Sequence, residues 1–336
     1  MLNLIPKNTR TRNTSKIRPL RQKRCFAHSE VYEYYGKPYH FFGDYLRDTY
    51  GVRIFKLPVN AALGCPNRES GSPCIFCSDT GSASPSTGNS HDIHTQMKNA
   101  RDSFVRTNIK TEYIAYFQAY TNTYAHIGLL KELYDAAASF PGVRGLMIGT
   151  RPDCLTEEVA ALISSYDQDN FELWVEIGMQ SVHDRSLSLL SRHHTHEDTE
   201  KALALLERYG IRCCVHLIIG IPGETREEMM VTANTVAHLP VDGVKFHHLH
   251  ILKGTLLAAM HEKKPLPHLT LSDYVSIFCD FCERLPGSML IHRLAGDALE
   301  DEIIAPRWGL EKGTVQKTIE TEFRRRGSWQ GFLYQG

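Results

Sequence analysis

The strongest constraint on the fold is a regular alternation of short apolar segments with amphipathic ones between residues 53 and 294. Uninterrupted runs of Val, Ile, Leu and aromatic residues are typical of strands covered on both faces. Consecutive strand–helix units form a parallel sheet with right-handed connections. The predicted strands are Ile54–Val59, Tyr113–Gln118, Gly145–Gly149, Leu173–Gly178, Cys213–Gly220, Gly243–His250 and, as a weaker seventh, Met289–Leu294. About six units are too few for a closed eight-stranded barrel, so we expect an α/β fold with an open or partial (β/α)6 barrel.

Helix-end signals support this division of the chain. Thr225-Arg-Glu-Glu228 is a capping box, and Gly210 stands where a helix C′ glycine is expected. The other predicted helices are Ile127–Phe140, Thr156–Tyr166, Glu197–Tyr209 and Leu271–Leu285. We expect the barrel to occupy residues 31–295, followed by a small, polar, helical C-terminal extension at 296–336.

Charge is unevenly spread along a chain whose formal net charge is zero. Residues 1–30 hold eight Lys or Arg and one acidic residue, Glu30. We expect this basic arm to be disordered, although an over-extended start, a transit peptide or an RNA-binding arm also fits its composition. The arm has no apolar run long enough for a signal peptide or a membrane span. Nine cysteines in 336 residues are too sparse for a disulfide framework, so we expect a cytoplasmic protein with reduced thiols and no membrane partner.

Three cysteines, Cys65, Cys74 and Cys77, share one loop directly after the first predicted strand. In parallel barrels the chemistry lies at the carboxyl ends of the strands, which is where this loop falls. Three thiolates can hold a metal centre that is one ligand short. From the residues alone, three readings stay open: an iron–sulfur cluster, a zinc ion with His91 or His94 as fourth ligand, or cysteines that only pack in the core.

Several further segments, taken with the cysteine loop, resemble those of a known superfamily. They are Tyr39-His-Phe-Phe-Gly-Asp-Tyr-Leu46, Cys65-Pro-Asn-Arg68, Cys74-Ile-Phe-Cys77, Tyr116-Phe-Gln-Ala-Tyr-Thr-Asn-Thr-Tyr124, Gly149-Thr-Arg-Pro-Asp153, Glu176-Ile-Gly-Met-Gln-Ser181, Gly220-Ile-Pro-Gly-Glu-Thr225 and Lys253-Gly-Thr255. The chain resembles the radical S-adenosylmethionine (SAM) superfamily. More closely, it is similar to the YhcC-like branch, which is related to the radical SAM domain of the Elongator catalytic subunit.

The resemblance implies a radical SAM enzyme. In that reading Cys65, Cys74 and Cys77 hold a [4Fe-4S] cluster whose open iron binds the amino and carboxylate groups of SAM. An electron from a donor such as flavodoxin or ferredoxin cleaves SAM, and the resulting 5′-deoxyadenosyl radical abstracts hydrogen from an unknown substrate, RNA or protein among the candidates. The residues expected to place SAM are Gln118, Glu176, Gln180 and Gly220.

Two departures from the superfamily pattern are visible. Eight residues separate Cys65 from Cys74, where many members have three. The segment Phe117-Gln118-Ala119 stands where many members have Gly-Gly-Glu, so Gln118 brings no negative charge for the SAM ammonium.

Other candidate residues have both a functional and a structural interpretation. Arg151 and Asp153 either bind SAM or substrate, or pair with each other. Strand alternation sends His247 to the side opposite His248 and His250, which argues against a metal trio. Cys279 and Cys282 share one helix face and are either a redox pair or core residues.

The alternative function is a non-catalytic, zinc-containing nucleic-acid-binding protein. Its motivation is the basic arm, the histidines near the cysteine loop, and the tail from Phe323 to Tyr334, which mixes three arginines with aromatic residues. Arginine beside aromatic rings is a common RNA-binding combination.

Overall fold

Parallel strands in chain order form the centre of the fold. The computed structural model describes residues 36–78, 84, 90–104, 111–308 and 313–336. Its strands are β1 Arg53–Val59, β2 Thr111–Phe117, β3 Val143–Thr150, β4 Glu172–Gln180, β5 Arg212–Ile219, β6 Gly243–His248, β7 Ile251–Leu252, β8 Leu290–Arg293 and β9 Ile303–Ala305. The main sheet has the order β1-β2-β3-β4-β5-β6-β8, and every neighbouring pair in it is parallel. The predicted partial barrel is therefore confirmed, with Met289–Leu294 containing its last strand. The expected arm at residues 1–30 lies outside the described residues.

Helices follow most of the strands, as parallel connections require. They are α1 Phe42–Tyr50, α2 Pro66–Glu69, α3 Ile93–Phe104, α4 Ile127–Ala138, α5 Glu157–Ser164, α6 Asp184–Leu189, α7 His196–Arg208, α8 Arg226–His238, α9 Leu256–Lys263, α10 Leu271–Arg284 and α11 Thr314–Arg326. The predicted capping box at Thr225 and Glu228 is present at the start of α8. None of the helices in the described part of the chain combines the length and the apolar character that crossing a bilayer requires.

The two faces of the sheet have different partners. Along β4, Leu173, Val175 and Ile177 belong to the main core, which packs the outer face of the sheet against the helices. The residues between them face the inside of the barrel, where Trp174 packs with Phe42 of α1 in a separate apolar cluster. The strict alternation of a strand thus makes a helix-covered outer face and an inner lumen.

The C-terminal segment contributes to the main core. Helix α11 buries Ile319 and Phe323 completely in it. The strand β9 pairs antiparallel with β7, a pairing that the sequence pattern did not predict. Residues beyond 296 therefore add side chains to the main core and a second, two-stranded sheet.

Replacing Phe323 with alanine tests this packing. We expect Phe323→Ala to lower the free energy of unfolding by about 3–5 kcal/mol, since it leaves a cavity where a fully buried ring was lost. The matched control is Phe332→Ala, because Phe332 is 48% exposed and its loss leaves no cavity. Urea unfolding of both variants checks the difference, and equal stabilities would show that α11 is not part of the core.

Candidate functional site

The cysteine loop begins at the carboxyl end of β1 and starts with one helical turn. Cys65 is the N-cap of α2, and its carbonyl accepts hydrogen bonds from the backbone N–H groups of Arg68 and Glu69. Pro66 occupies the first helical turn, where its missing N–H costs nothing. Gly71 then takes a left-handed conformation, with φ of 75°. The long spacing between Cys65 and Cys74 is therefore absorbed by a helical turn and a reversal.

The segment between Cys74 and Cys77 is anchored by Ile75. Its N–H donates to the carbonyl of Leu190 at 3.1 Å, and its own carbonyl accepts from the N–H of Leu257 at 2.8 Å. Its side chain lies in a small apolar cluster that includes both of these residues. The Cys77 N–H donates to the Cys74 carbonyl at 3.0 Å, so the two cysteines lie on one tight turn that is fixed on both sides.

Nitrogen donors surround two of the cysteine sulfurs. The Sγ of Cys74 is 3.3 Å from Nδ2 of Asn67 and 3.3 Å from Nη1 of Arg192. The Sγ of Cys77 is 3.6 Å from Nη2 of Arg68. N–H donors and positive charge favour thiolates over thiols. Burial raises the pKa of the Cys77 thiol, and Arg68 opposes that rise.

Arg192 is a site residue that sequence reasoning missed. It also donates to the Gly178 carbonyl at 3.0 Å, so it connects the cysteine loop to the carboxyl end of β4. Asn67 reaches the same region, because its Nδ2 donates to the carbonyls of Ser191 and Arg192. Nothing in the local pattern marks Arg192, since the cysteine that it contacts is 118 residues away.

The three loop sulfurs do not all lie within 4.8 Å of one another. One group of three donor atoms within 4.8 Å of one another occurs among the described residues, and it is Glu176, Cys214 and His292 rather than the loop cysteines. A single zinc ion with bonds of about 2.3 Å would hold three sulfurs roughly 3.8 Å apart. His94 belongs to α3, and its Nε2 contacts the Ala136 carbonyl of α4 at 2.8 Å. Its ring is therefore directed at α4.

Gln180 lies beside the cysteine loop. It ends β4 with a positive φ of 68°, and its side chain folds back over Gly178. A Cβ at position 178 would lie 2.8 Å from Nη2 of Arg192 and 2.9 Å from Nε2 of Gln180. The structure therefore brings Gln180, Arg192 and Cys74 together.

Gln118 and Gly220 lie at other strand ends on the same face. Gln118 directly follows β2 and is half-buried. Gly220 follows β5 with a φ of 88°, packs against Leu269, and lines an apolar cleft with Leu257. All three of these predicted SAM residues are thus at the carboxyl-terminal edge of the sheet.

Glu176 lies lower, inside the barrel, and is fully buried. Its carboxylate accepts hydrogen bonds from Tyr116 at 2.6 Å, Lys245 at 2.8 Å and, through Nε2, His216 at 2.6 Å. Nζ of Lys56 is 3.8 Å away. Arg293 of β8 is the register partner of Lys245 of β6. We call the following side chains the polar layer: Lys56, Tyr116, Glu176, His216, Lys245 and Arg293.

The ionisation of the polar layer is set by burial and by Lys245. Burial alone would raise the pKa of Glu176, but Lys245 and His216 outweigh it and hold that pKa well below its usual range. Burial, followed by Lys245, lowers the pKa of His216 to about 4. At neutral pH, Glu176 is therefore a carboxylate and His216 is uncharged.

The remaining candidates have structural partners. Arg151 and Asp153 form a two-point ion pair, with distances of 3.0 and 2.8 Å. His248 stacks on Trp308 while His247 faces His216, so these two rings have different partners, as strand alternation predicts. Cys279 and Cys282 are fully buried in the main core, which favours the packing interpretation.

Comparison with known proteins decides the family. The model of the radical SAM superfamily matches residues 59–236, and that of the radical SAM C-terminal domain matches residues 241–325. The uncharacterized protein YtqA of Bacillus subtilis is 37% identical and covers 89% of this chain and 94% of its own length. The chain belongs to the radical SAM superfamily. The protein YhcC of Escherichia coli is 33% identical to this radical SAM protein, over 85% of this chain and 92% of YhcC.

A solved structure has the same fold. The archaeal Elp3 of Methanocaldococcus infernus, lacking its N-terminus, superposes with a TM-score of 0.64 at 18% identity. The match covers 82% of this radical SAM chain and 64% of that one. At this identity the likeness concerns the fold alone.

Removing Lys245 tests the electrostatics of the polar layer. We expect Lys245→Met to lower the free energy of unfolding by about 3 kcal/mol at pH 8, because the buried Glu176 carboxylate loses the ammonium group that it contacts at 2.8 Å and keeps Lys56 only at 3.8 Å. Without Lys245, a proton on Glu176 or His216 stabilises the folded protein. The pKa of that group is then higher in the folded variant than in the unfolded chain. The loss should therefore be smaller at pH 5 than at pH 8.

The double variant Glu176→Gln/Lys245→Met serves as the control for this prediction. It removes both charges, so most of the lost stability should return and its pH dependence should flatten. Chemical unfolding at both pH values measures the effect. A loss of stability that is the same at pH 5 and pH 8 would contradict the assignment.

Proposed function

We propose that this chain is a radical SAM enzyme that uses a [4Fe-4S] cluster on Cys65, Cys74 and Cys77 to cleave SAM reductively. The observation that carries the proposal is the cysteine loop itself. It presents three cysteines at the carboxyl-terminal face of a partial barrel, with N–H donors directed at two of the sulfurs. Superfamily membership of the chain supports the same reading.

The residues present fit such a cluster. Cluster potentials depend on net charge and on hydrogen bonds to sulfur, and Arg192 and Asn67 supply both kinds of contact at Cys74. A cluster held by these cysteines would supply the one electron that breaks the 5′-carbon–sulfur bond of SAM, giving methionine and a 5′-deoxyadenosyl radical. That electron calls for an external donor of the flavodoxin or ferredoxin type.

The chain's own side chains orient the cofactor and limit access of water. Gln180 and the Gly178 backbone lie next to the cysteine loop, where they would hold the SAM amino acid part. Gln118, after β2, and Gly220, after β5, lie at the same edge of the sheet on either side of β4. Glu176 lies one layer deeper and is already bonded to Lys245 and His216, so we assign it to the space beneath SAM.

The alternative reading as a zinc-containing RNA-binding protein loses part of its motivation. Arg325 and Arg326 of the basic tail are paired with Glu322 at 2.7 and 2.8 Å, and Arg326 also reaches Asp280. Arg326 therefore holds α11 against α10, whereas Arg325 pairs within α11 and keeps 71% of its side chain exposed.

Cluster loading tests the proposal directly. After anaerobic reconstitution, we expect the wild-type protein to release 5′-deoxyadenosine from SAM in the presence of dithionite. Cys74→Ala should lose most of its iron and all of this activity, because the centre loses a ligand. The matched control is Cys154→Ala, a buried cysteine outside the loop, which should keep its iron. A fully loaded wild-type protein that releases no 5′-deoxyadenosine would refute the function.

The contact between Arg192 and Cys74 makes a second prediction. Loss of a positive charge and of an N–H donor to sulfur makes a cluster harder to reduce. We expect Arg192→Met to shift the midpoint potential to more negative values by roughly 60 mV, equivalent to a tenfold change in a one-electron equilibrium.

Potentiometric titration followed by electron paramagnetic resonance measures this shift. The control is Arg185→Met, since Arg185 is 59% exposed and paired with Glu228. An unchanged potential in Arg192→Met would mean that the guanidinium does not contact the cluster ligands.

A further inference from the structure

The polar layer carries more positive than negative charge. Lys56, Lys245 and Arg293 are its cations, and Glu176 is its carboxylate. Arg293 approaches one other acid, Asp297, at 3.8 Å, but Asp297 is 87% exposed and therefore well screened by solvent. Below this layer, Arg212 and Glu172 compensate each other at 2.5 Å. Within the part of the chain that the structure describes, no further buried acid is paired with these cations to balance the excess of positive charge.

Uncompensated charge inside a protein is costly, and the polar layer shows this cost. Burial lowers the pKa of Lys245 to about 8 despite its pairing with Glu176, and burial also lowers the pKa of Lys56. An anion placed among these cations would relieve the imbalance.

Unpartnered donors point to the same kind of ligand. His292 is 92% buried, and its Nδ1 lies 3.7 Å from the Glu176 carboxylate, beyond hydrogen-bond distance. Among the described residues, neither ring nitrogen of His292 nor the buried Nε2 of His247 has a hydrogen-bond partner. Burial lowers the pKa of His292 to about 3, so its ring is neutral and retains one N–H to donate.

A metal ion is the competing occupant, because Glu176, Cys214 and His292 bring three donor atoms within 4.8 Å. However, Nζ of Lys245 is 2.8 Å and Nζ of Lys56 is 3.8 Å from the Glu176 carboxylate. A divalent cation at this carboxylate would meet two ammonium groups at close range. The electrostatics of the polar layer therefore favour an anion.

The polar layer is accessible from the lumen. The side chains of Lys56, His216 and Arg293 keep 27%, 21% and 31% of their surface exposed. From below, the apolar cluster of Phe42 and Trp174 closes the barrel. On β4, Glu176 lies two residues before Gly178, the residue bonded to Arg192 at the cysteine loop. A group that reaches the layer is consequently held under the proposed SAM site.

We propose that Lys56, Lys245 and Arg293 bind an oxyanion, a carboxylate or phosphate group, of a small-molecule substrate at the floor of the lumen. The assignment of that molecule as substrate rests on the proposed function. The anion anchors one end of the molecule, so its remainder extends upward toward the cysteine loop. The three cations are therefore substrate-binding residues.

Anion binding can be measured without any SAM chemistry. The probes are inorganic phosphate and acetate, added to the reconstituted full chain without SAM or reductant and compared with chloride at equal ionic strength. Ligands that bind the folded state raise the thermal midpoint in a concentration-dependent way. We expect stabilisation by at least one probe, and the tighter one identifies phosphate or carboxylate as the natural group.

Two variants locate the site while keeping the Lys245–Glu176 pair. Lys56→Gln and Arg293→Gln should each raise the dissociation constant of the probe by about tenfold, as expected for losing one charge-assisted contact. Lys263→Gln, on an exposed position of α9, should bind like the wild type. No stabilisation beyond chloride by either probe, or unchanged affinity in both variants, overturns the anion site.

A third arm separates small molecules from nucleic acid. A short single-stranded oligonucleotide should leave probe binding unchanged, and displacement of the probe by it overturns the small-molecule assignment. Failure of the proposed function remains distinguishable. A protein that binds phosphate through Lys56 and Arg293 but releases no 5′-deoxyadenosine refutes the radical chemistry and keeps the anion site.

Discussion

Parallel pairing of the strands is the constraint on which the site depends. Each strand enters the sheet from the same end, so the carboxyl ends of β1 to β6 and β8 must collect at one edge. The cysteine loop after β1 and the turn containing Arg192 after β4 therefore meet, although they are far apart in the chain. The contacts between the cysteine loop and the turn containing Arg192 follow from this shared edge.

The inside of the barrel is divided by height along the strands. At the amino-terminal side, Phe42, Trp174 and Cys214 form an apolar plug. Two residues after Trp174 on β4, Glu176 and its partner Lys245 begin the polar layer. Inner positions on parallel strands stack in such layers because side chains alternate with a period of two residues. The plug excludes water from below, which strengthens the electrostatic interactions of the layer above it.

The fold was largely predictable from the sequence because uninterrupted apolar runs and helix caps are local signals. The predicted strand Leu173–Gly178 lies inside the observed β4, and the capping box at Thr225 is present. The grouping of Cys65, Cys74 and Cys77 was predictable for the same reason, since they share one loop. Arg192 was not, because its role depends on a contact across more than a hundred residues.

The sequence contains one signal for the polar layer, which is a charged residue within an apolar predicted strand. Glu176 is one such residue. Lys56 and Lys245 are charged residues within otherwise apolar predicted strands, and a charge in such a place must have a partner. Which charges meet, however, depends on the stagger between strands. Lys245 and Arg293 are register neighbours on β6 and β8 only because the register shifts between these two strands. A local sequence pattern does not show such a shift.

The last strand of the sheet has a neighbour on its outer side. The N–H of Ile291 in β8 donates to the His40 carbonyl at 2.8 Å, and the backbone N–H of His40 is in turn bonded to the buried amide of Gln330. Unpaired strand edges are templates for association between chains. By covering this edge with the segment before α1 and fastening that segment with a glutamine near the C-terminus, the molecule protects an incompletely closed barrel from edge-to-edge aggregation.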